Sequence, residues 1–251
     1  MAKRSKIDIP TVYIRNGIIV FFILFLGTLV YRHCADFLGT SSLFRIKEVT
    51  VDPDVQFLQS RVLKQIQGQN IFAVDLKRVH NEIRTFYPQI YALHIERRFP
   101  DTIHVVAKKR EAFAQVLVKQ TYLTIDDNGI VIFADKKPLP QLTLIKNNRL
   151  DKMKIFLGTK LDTPEVLAGV ETIETFKSNP GLAKYPISNI EVDNLSKIIF
   201  YIGPALQIIL DRDDIAKKLD TLAFLIAQKK LNFFEVRYID LRFKEPIVGK
   251  K

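Results

Sequence analysis

The sequence predicts an α+β protein with a single N-terminal transmembrane helix, a small β-α-α-β-β domain, and a strand-rich β domain with two helices. Three observations lead to this prediction. Residues 17–30 are apolar with one exception, residues 44–107 show strand, helix, helix, strand and strand patterns in that order, and residues 111–251 contain many short alternating runs between turn residues. Helices packed on one face of a sheet are the usual result of such an order.

The first element is the apolar run at residues 17–30, in which Thr28 is the only polar residue. Arg15 and Arg32 bracket it. A spanning helix needs about 20 apolar residues, and flanking arginines extend a shorter run because their stems lie along the hydrocarbon. We therefore predict a membrane helix over residues 16–33, and its span includes Asn16, Gly17, Phe21, Leu24, Val30 and Tyr31.

The charges before the span predict its orientation. Residues 1–15 contain four basic residues and one acid, and cationic residues resist translocation. We expect a single-pass protein of the cell inner (cytoplasmic) membrane, with a cytoplasmic tail of residues 1–15 and the rest outside. A cleaved secretory signal is the alternative for a run of this length. No small-x-small cleavage site follows the run, so an uncleaved anchor is favoured.

The cysteine content limits how the exported part can be stabilised. The chain contains one cysteine, Cys34, which lies beside the predicted span. Because there is no second cysteine with which it could pair, hydrophobic packing must hold the exported part together. The sequence leaves the role of Cys34 open.

The net charge of +11 is spread along the chain, so we expect membrane and protein partners and no nucleic acid. The four histidines are scattered without metal-ligand spacing, which predicts no metal site. No nucleophile elbow, phosphate loop or dinucleotide fingerprint is present. We expect no enzyme activity, no cofactor and no small-molecule substrate.

The first exported domain is predicted at residues 44–110. A strand at 44–51, with a bulge near its middle, is followed by a helix that ends at Gly68. Asp75 suits the N-cap of a second helix, because its carboxylate can accept from free backbone N–H groups. The predicted helices and returning strands cover residues 57–66, 76–86, 90–97 and 103–107.

The second domain is predicted at residues 111–251. Thr163 is predicted to cap one helix through its hydroxyl group, and Asp213 and Asp214 to start another. The predicted strands cover residues 112–118, 122–125, 130–133, 142–145, 187–192, 197–202, 206–210 and 234–243.

Five short stretches of the sequence form a recognisable series: residues 44–51 (FRIKEVTV), 68–72 (GQNIF), 97–102 (RRFPDT), 125–133 (IDDNGIVIF) and 238–243 (YIDLRF). Together they resemble the FtsQ/DivIB family of bacterial cell-division proteins. The first three resemble its POTRA domain, the fourth the hairpin that follows, and the fifth its closing strand. The resemblance covers nearly the whole chain, and the motif residues are Phe44, Gly68, Asn70, Phe72, Asp75, Phe99, Pro100, Asp240 and Leu241.

The resemblance implies a non-enzymatic, membrane-anchored scaffold of the divisome at the division septum. Its implied partners are FtsB and FtsL-type coiled-coil proteins and the septal peptidoglycan synthase complex. The closing strand would be an edge that a partner strand extends. The partner-binding residues implied by position are Arg212, Tyr238, Arg242, Phe243 and Lys244.

Three departures and two alternatives remain open. Acids flank Arg212, Phe243 replaces a tyrosine, and Pro246 removes a ladder donor. Residues 238–243 could instead be a core strand. A POTRA-containing component of outer-membrane protein insertion or secretion is the alternative function, although no barrel-like series of strands follows.

Overall fold

The computed structural model of the protein describes residues 11–203, 206–228 and 236–250. Its first element is one continuous helix, α1 (Thr11–Thr40). The part from Arg15 onward is long and apolar enough to cross a membrane, and none of its apolar window is buried against the rest of the protein. The helix continues seven residues beyond the predicted span of 16–33. Residues 34–40 contain no proline that would end it.

The chain divides into two compact units. The first unit runs through Glu82 and includes Leu93–Ala107, and the second contains Ile83–Ala92 and continues from Lys108. The first unit thus holds the apolar helix and most of the predicted first domain, and the second unit holds the predicted second domain.

The predicted β-α-α-β-β order is confirmed. The strands form a three-stranded sheet in the order β1-β3-β2, with β1 and β3 parallel. Val62 and Ile66 of α2, and Val79 of α3, are buried, as are Ile103 and Val105 of β3. The elements are β1 (Glu48–Val51), α2 (Gln59–Ile66), α3 (Leu76–Phe86), β2 (Ile90–Arg98) and β3 (Thr102–Lys109).

The first strand is shorter than predicted. Residues 42–44 form a 3-10 turn, which the Ser41 hydroxyl caps by accepting from the backbone N–H of Leu43. The strand β1 then begins only at Glu48. The predicted N-cap of α3 is confirmed, because an Asp75 carboxylate oxygen accepts from the backbone N–H of Arg78 at 3.0 Å.

The second unit is built on a nine-stranded sheet in the order β12-β11-β10-β9-β8-β7-β4-β5-β6. The helices α4 (Pro164–Ser178) and α5 (Ile215–Ala227) pack against each other. The ring of Phe176 in α4 makes a T-shaped contact with the ring of Phe200 in the sheet, and the two ring centroids are 5.6 Å apart. The strands are β4 (Ala114–Val118), β5 (Thr121–Ile125), β6 (Val131–Asp135), β7 (Thr143–Lys146), β8 (Ile187–Asn194), β9 (Lys197–Ile202), β10 (Leu206–Leu210), β11 (Val236–Asp240) and β12 (Ile247–Lys250).

The two N-caps predicted in this unit are at the predicted positions, but neither side chain makes the expected hydrogen bond. Thr163 stands at the N-cap of α4, but its hydroxyl makes no cap bond and has no hydrogen-bond partner among the described residues. Asp214 stands at the N-cap of α5 in the left-handed conformation, with φ 51°, and its carboxylate also makes no cap bond. Instead, Asp211 accepts from the backbone N–H of Asp213 and pairs with Lys218.

Candidate functional site

One end of the nine-stranded sheet holds most of the residues expected to bind a partner. The prediction that the strand at residues 234–243 closes the sheet is wrong. The strand β11 lies between β10, which runs parallel to it, and β12, which runs antiparallel. The sheet therefore ends on β12, a strand that the sequence analysis missed, and residues 234–235 lie outside the described residues.

Two residues, Pro246 and Gly249, explain how the chain can form β12 beside β11. Pro246 directly precedes Ile247, the first residue of the strand, where a missing backbone N–H removes no ladder bond. Gly249 pairs with Tyr238 across the ladder. A Cβ atom at residue 249 would lie 2.2 Å from the Tyr238 ring, so only glycine leaves room for that ring.

Arg242 is held by its own chain. Its Nε donates to Asp240 Oδ1 at 3.0 Å, and its Nη2 donates to Asp240 Oδ2 at 2.7 Å. The hydrogen bonds from Arg242 hold the pKa of Asp240 below its usual range. The guanidinium fork of Arg242 therefore already binds a carboxylate of its own chain, and its implied role in partner binding stays a prediction.

The consecutive residues Arg242, Phe243 and Lys244 line a cavity of about 230 Å³ with Lys217 and Lys218 from the first turn of α5. The cavity therefore joins the segment after β11 to the start of a helix that lies more than twenty residues earlier in the chain.

Arg212 lies apart from this group. It is exposed and is not among the residues that line the cavity. Its backbone N–H donates to the carbonyl of Leu195 at 2.9 Å. The expectation that Arg212 acts beside Arg242 gains no support from this position.

The cavity carries more positive than negative charge. Two of its four lining cations are already paired, Lys218 with an aspartate that precedes α5 and Arg242 with Asp240. Lys217 and Lys244 are exposed and have no ion pair among the described residues. The surface beside β12 therefore suits an acidic group, with these two lysines as the available cations.

Most of the other family-motif residues gather in the first unit. Gly68 takes a positive φ of 78°, which an L side chain adopts only under strain. Asn70 bonds to the end of α1, and Phe44, Phe72 and Phe99 form part of one series of ring contacts. Asn70 and the three phenylalanines therefore lie close together in the first unit.

The remaining predicted residues have simpler positions. Pro100 lies in the turn between β2 and β3. Asp240 and Leu241 are buried at the end of β11. The predicted span residues all lie on α1.

The opposite end of the sheet is covered by the chain. The backbone N–H of Val131 in β6 donates to Thr159, and that of Gly158 donates back to Val131. At the adjoining turn, Asp126 is buried and accepts from Arg110 Nη1 at 2.6 Å. The β6 edge therefore already has a backbone partner over part of its length.

The sequence held only weak signals for what was missed. Ile247 and Val248 are β-branched, as strand residues often are, but Pro246 suggested an end to the sheet. Lys217 fitted an ordinary solvated helix face. The bonds of Asn70 reach residues more than 30 positions away, so no local pattern predicts them.

Comparison with known proteins identifies the class to which this architecture belongs. The model of the cell division protein FtsQ/DivIB C-terminal domain matches residues 114–242, and the FtsQ-type POTRA domain matches residues 44–110. The chain belongs to the FtsQ/DivIB family of cell division proteins.

Individual relatives agree with this membership. The chain is 24% identical over 239 residues to the cell division protein DivIB of Clostridium tetani, covering 91% of this chain and 85% of the relative. It is 23% identical over 208 residues to DivIB of Clostridium acetobutylicum, covering 80% of each. FtsQ of Geotalea daltonii is 25% identical over 190 residues, covering 74% of this chain and 66% of the relative.

A solved structure is also similar. It is the major extracytoplasmic domain of the trans isomer of DivIB from Geobacillus stearothermophilus, at 14% identity and a TM-score of 0.27. The match covers 50% of this chain and 99% of that one.

Proposed function

We propose that this chain is a non-enzymatic scaffold of the division machinery that binds an FtsB/FtsL-type partner by strand addition to β12. The observation that carries the proposal is the position of β12 at the end of the nine-stranded sheet. Among the described residues, β12 pairs only with β11. Its other edge offers backbone donors and acceptors to a strand from another protein.

The side chains of β12 support this role. Ile247 and Val248 are both exposed, at 46% and 39%. Proteins usually protect an exposed sheet edge with charges, bulges or a covering segment, and this edge keeps two adjacent β-branched residues. A partner strand would gain backbone hydrogen bonds from the edge and side-chain contacts from these two residues.

Charge would define which strand is accepted. Lys217 and Lys244 line the cavity beside β12, so a partner with an acidic residue near its added strand would be favoured. Exposed ion pairs of this kind contribute about 0.2–1 kcal/mol each. They should therefore add more to the specificity of binding than to its affinity.

The membrane anchor would compensate for a short interface. A four-residue strand can form only a few ladder bonds with a partner. If α1 and the partner's own anchor lie in one bilayer, binding becomes a local event at high effective concentration. We propose that residues 1–15 lie in the cytoplasm and the two units outside, where they link the partner to septal peptidoglycan synthesis.

The binding experiment uses the full chain in lipid nanodiscs and the extracytoplasmic segment of FtsB from the same genome. We expect hydrogen exchange at β12 to slow on binding, because backbone N–H groups that faced water become bonded. Neighbouring N–H groups on a strand point to opposite sides, and proline has no N–H group. Ile247→Pro and Val248→Pro should therefore have different effects. One removes a donor to β11 and loosens β12, whereas the other removes a donor to the partner strand and weakens binding.

Phe133→Ala is the matched control, since Phe133 is exposed to 49% on β6 at the opposite end of the sheet. It should leave binding unchanged. Binding with no change in exchange at β12 would rule out strand addition there. A folded chain that binds neither FtsB nor FtsL segments would overturn the proposed partner.

Position and orientation are tested in cells. A fluorescent fusion should concentrate at division sites, and an even distribution around the membrane would contradict the septal role. Cys34 is the only cysteine, so an impermeant maleimide added outside spheroplasts should label it, whereas Ser5→Cys in a Cys34→Ser chain should stay unlabelled. The reverse pattern would overturn the orientation.

A further inference from the structure

The end of α1 and the rest of the first unit share a series of four phenylalanine rings, here called the aromatic ladder: Phe37, Phe44, Phe72 and Phe99. Phe37 meets Phe44 edge to face at 6.2 Å between ring centroids, and Phe44 meets Phe72 at 5.1 Å. Phe72 stacks on Phe99 at 5.0 Å. The ladder is continuous, although its residues come from separate parts of the sequence.

Three of the four rings are exposed, and Phe44 is half-buried. The exposed fractions are 53% for Phe37, 43% for Phe72 and 59% for Phe99, and the nearby Leu43 is exposed to 57%. Soluble surfaces rarely show so much contiguous apolar area unless something covers it. We therefore expect another molecule or surface to cover the ladder.

Asn70 fixes the ladder to the membrane helix. Its side-chain amide donates to the carbonyls of Leu38 and Gly39 at 2.7 and 2.9 Å, and these are acceptors that the last turn of α1 cannot satisfy internally. Its side-chain oxygen accepts from the backbone N–H of Phe72 at 2.8 Å. One residue thus joins the end of α1 to the loop that carries the third ring.

Arg97 holds the same loop from the sheet. Its Nε donates to the carbonyl of Ile71 at 2.8 Å, and its Nη2 donates to that of Val74 at 3.0 Å. With Asn70 on one side and Arg97 on the other, the Phe72 backbone is tied to both α1 and β2. The rings consequently keep a set position at the end of the helix.

The length of α1 indicates what covers the rings. Phe37 lies six residues beyond Tyr31, about 9 Å along a helix, and the headgroup layer on one side of a bilayer is about 5–8 Å thick. If Tyr31 marks the hydrocarbon boundary, Phe37 stands at the outer limit of the headgroups in an upright helix, and the tilt usual for membrane helices brings it closer to them. Phe and Leu side chains are among those with which proteins bind the boundary between headgroups and acyl chains.

We propose that the aromatic ladder is a membrane-contact surface that inserts into the outer headgroup layer and holds the first unit against the bilayer. Charge agrees with this occupant. Arg45 and Arg98, next in sequence to Phe44 and Phe99, are exposed cations that suit lipid phosphates, and they outnumber the one exposed acid in such a position, Asp36 beside Phe37. The ladder also continues directly from α1, so the bilayer reaches it without any additional partner.

The experiment uses tryptophan as a depth probe, because the chain contains none. Single-tryptophan chains carrying Phe72→Trp or Phe99→Trp are placed in nanodiscs with and without lipids brominated on the acyl chain near the headgroup. We expect brominated lipid to reduce emission about twofold or more at both positions, because the rings lie at the interface.

Leu24→Trp and Phe224→Trp are the controls. Leu24 lies in the apolar segment, and Phe224 is exposed to 62% in the second unit. The inference rests on α1 crossing the membrane as proposed, so the emission of Leu24→Trp must be quenched. If it is not quenched, the proposed membrane span is wrong, and the experiment then does not test the aromatic ladder. Phe224→Trp should not be quenched.

Unquenched tryptophan at both 72 and 99, with Leu24→Trp quenched, would overturn the proposal. A blue-shifted but unquenched emission would assign the surface to a protein partner instead, which overturns it equally. If a ring substitution prevents folding, Leu43→Trp reports from the exposed residue beside the ladder without replacing any of its rings.

Discussion

The two ends of the nine-stranded sheet are treated differently by the same chain. At the β6 end, residues 156–161 return and bond to the edge, and a buried Arg110–Asp126 ion pair holds the adjoining turn. At the β12 end, the last strand keeps an edge with no strand partner among the described residues. One edge has an internal backbone partner over part of its length, whereas the other has none among the described residues.

The difference shows where substitutions should affect stability and where they should affect binding. The returning segment satisfies the backbone groups of Val131 and protects that part of the β6 edge from other strands. An open β12 edge leaves its own backbone groups to water or to a partner. Changes at the covered end should therefore lower the free energy of unfolding. At the open end, changes to exposed side chains should mainly weaken association, whereas changes to the buried contacts that hold β11 and β12 should also lower stability.

The largest effect is expected at the covered end. Asp126→Ala leaves Arg110 buried without its carboxylate, and the backbone N–H groups of Asn128 and Ile130 lose their acceptor. Breaking a buried pair in this way costs about 3–5 kcal/mol. Urea unfolding of the full chain would measure it, with Asp127→Ala at the exposed neighbour as control. Equal losses for both variants would contradict the role of the ion pair.

The next effect concerns pH at the open end. The pKa of Asp240 lies below its ordinary value because Arg242 bonds to its charged form. Its contribution to stability is therefore complete above the unfolded-state pKa of about 3.9 and is lost as pH falls through the lower folded-state pKa. Asp240→Asn should lower the free energy of unfolding at pH 7 by about 1.5–3 kcal/mol.

Unfolding at pH 7 and at pH 2 would test this sign. The difference between Asp240→Asn and the unchanged chain should shrink at the lower pH, because the carboxylate is then increasingly protonated and loses its charge. A difference that stays constant would mean that packing, and not the charge-assisted bonds, accounts for the loss.

Gly249→Ala should strain the β11–β12 pair. The added Cβ meets the Tyr238 ring, so either the ring or β12 must move, at a cost of about 1–3 kcal/mol, and partner binding should weaken as the edge shifts. A double-mutant cycle with Tyr238→Ala would isolate the clash. Additive effects of the two substitutions would show that the ring and the glycine do not meet.

The smallest effect is expected from the lysines that line the cavity. Lys217→Glu and Lys244→Glu should each weaken partner association by about 0.2–1 kcal/mol, chiefly through a slower association rate. The loss should diminish as salt is added. Lys136→Glu, an exposed position between β6 and β7, is the matched control. A similar loss from all three would indicate general charge attraction and no selective site.

The sequence predicted the bounds of helices and strands better than the contacts between them. The bounds of β9 and β10 match the predicted strands at both ends, since their alternation and flanking turns are local signals. The residues around Arg242 follow β11, whose last residue is Asp240. The ion pair of Arg242 with Asp240, however, depends on side-chain directions at a strand end, and Asp240 had no local feature that distinguished it from a surface acid.

The sequence by itself determined the apolar N-terminal segment, the order of most strands and helices, and the family resemblance, because each depends on residue pattern over short distances. Only the tertiary structure decided which strand ends the sheet, which cations have partners, and which rings meet at the end of α1. Some of those features, such as the bonds of Asn70 to the end of α1, join residues far apart in the chain. Others, such as the pairing of β11 with β12 and the Arg242–Asp240 ion pair, join near neighbours but depend on strand and side-chain directions that the residue pattern does not specify. The pairing of β11 with β12 and the bonds of Asn70 to α1 become visible only when the backbone has brought them together.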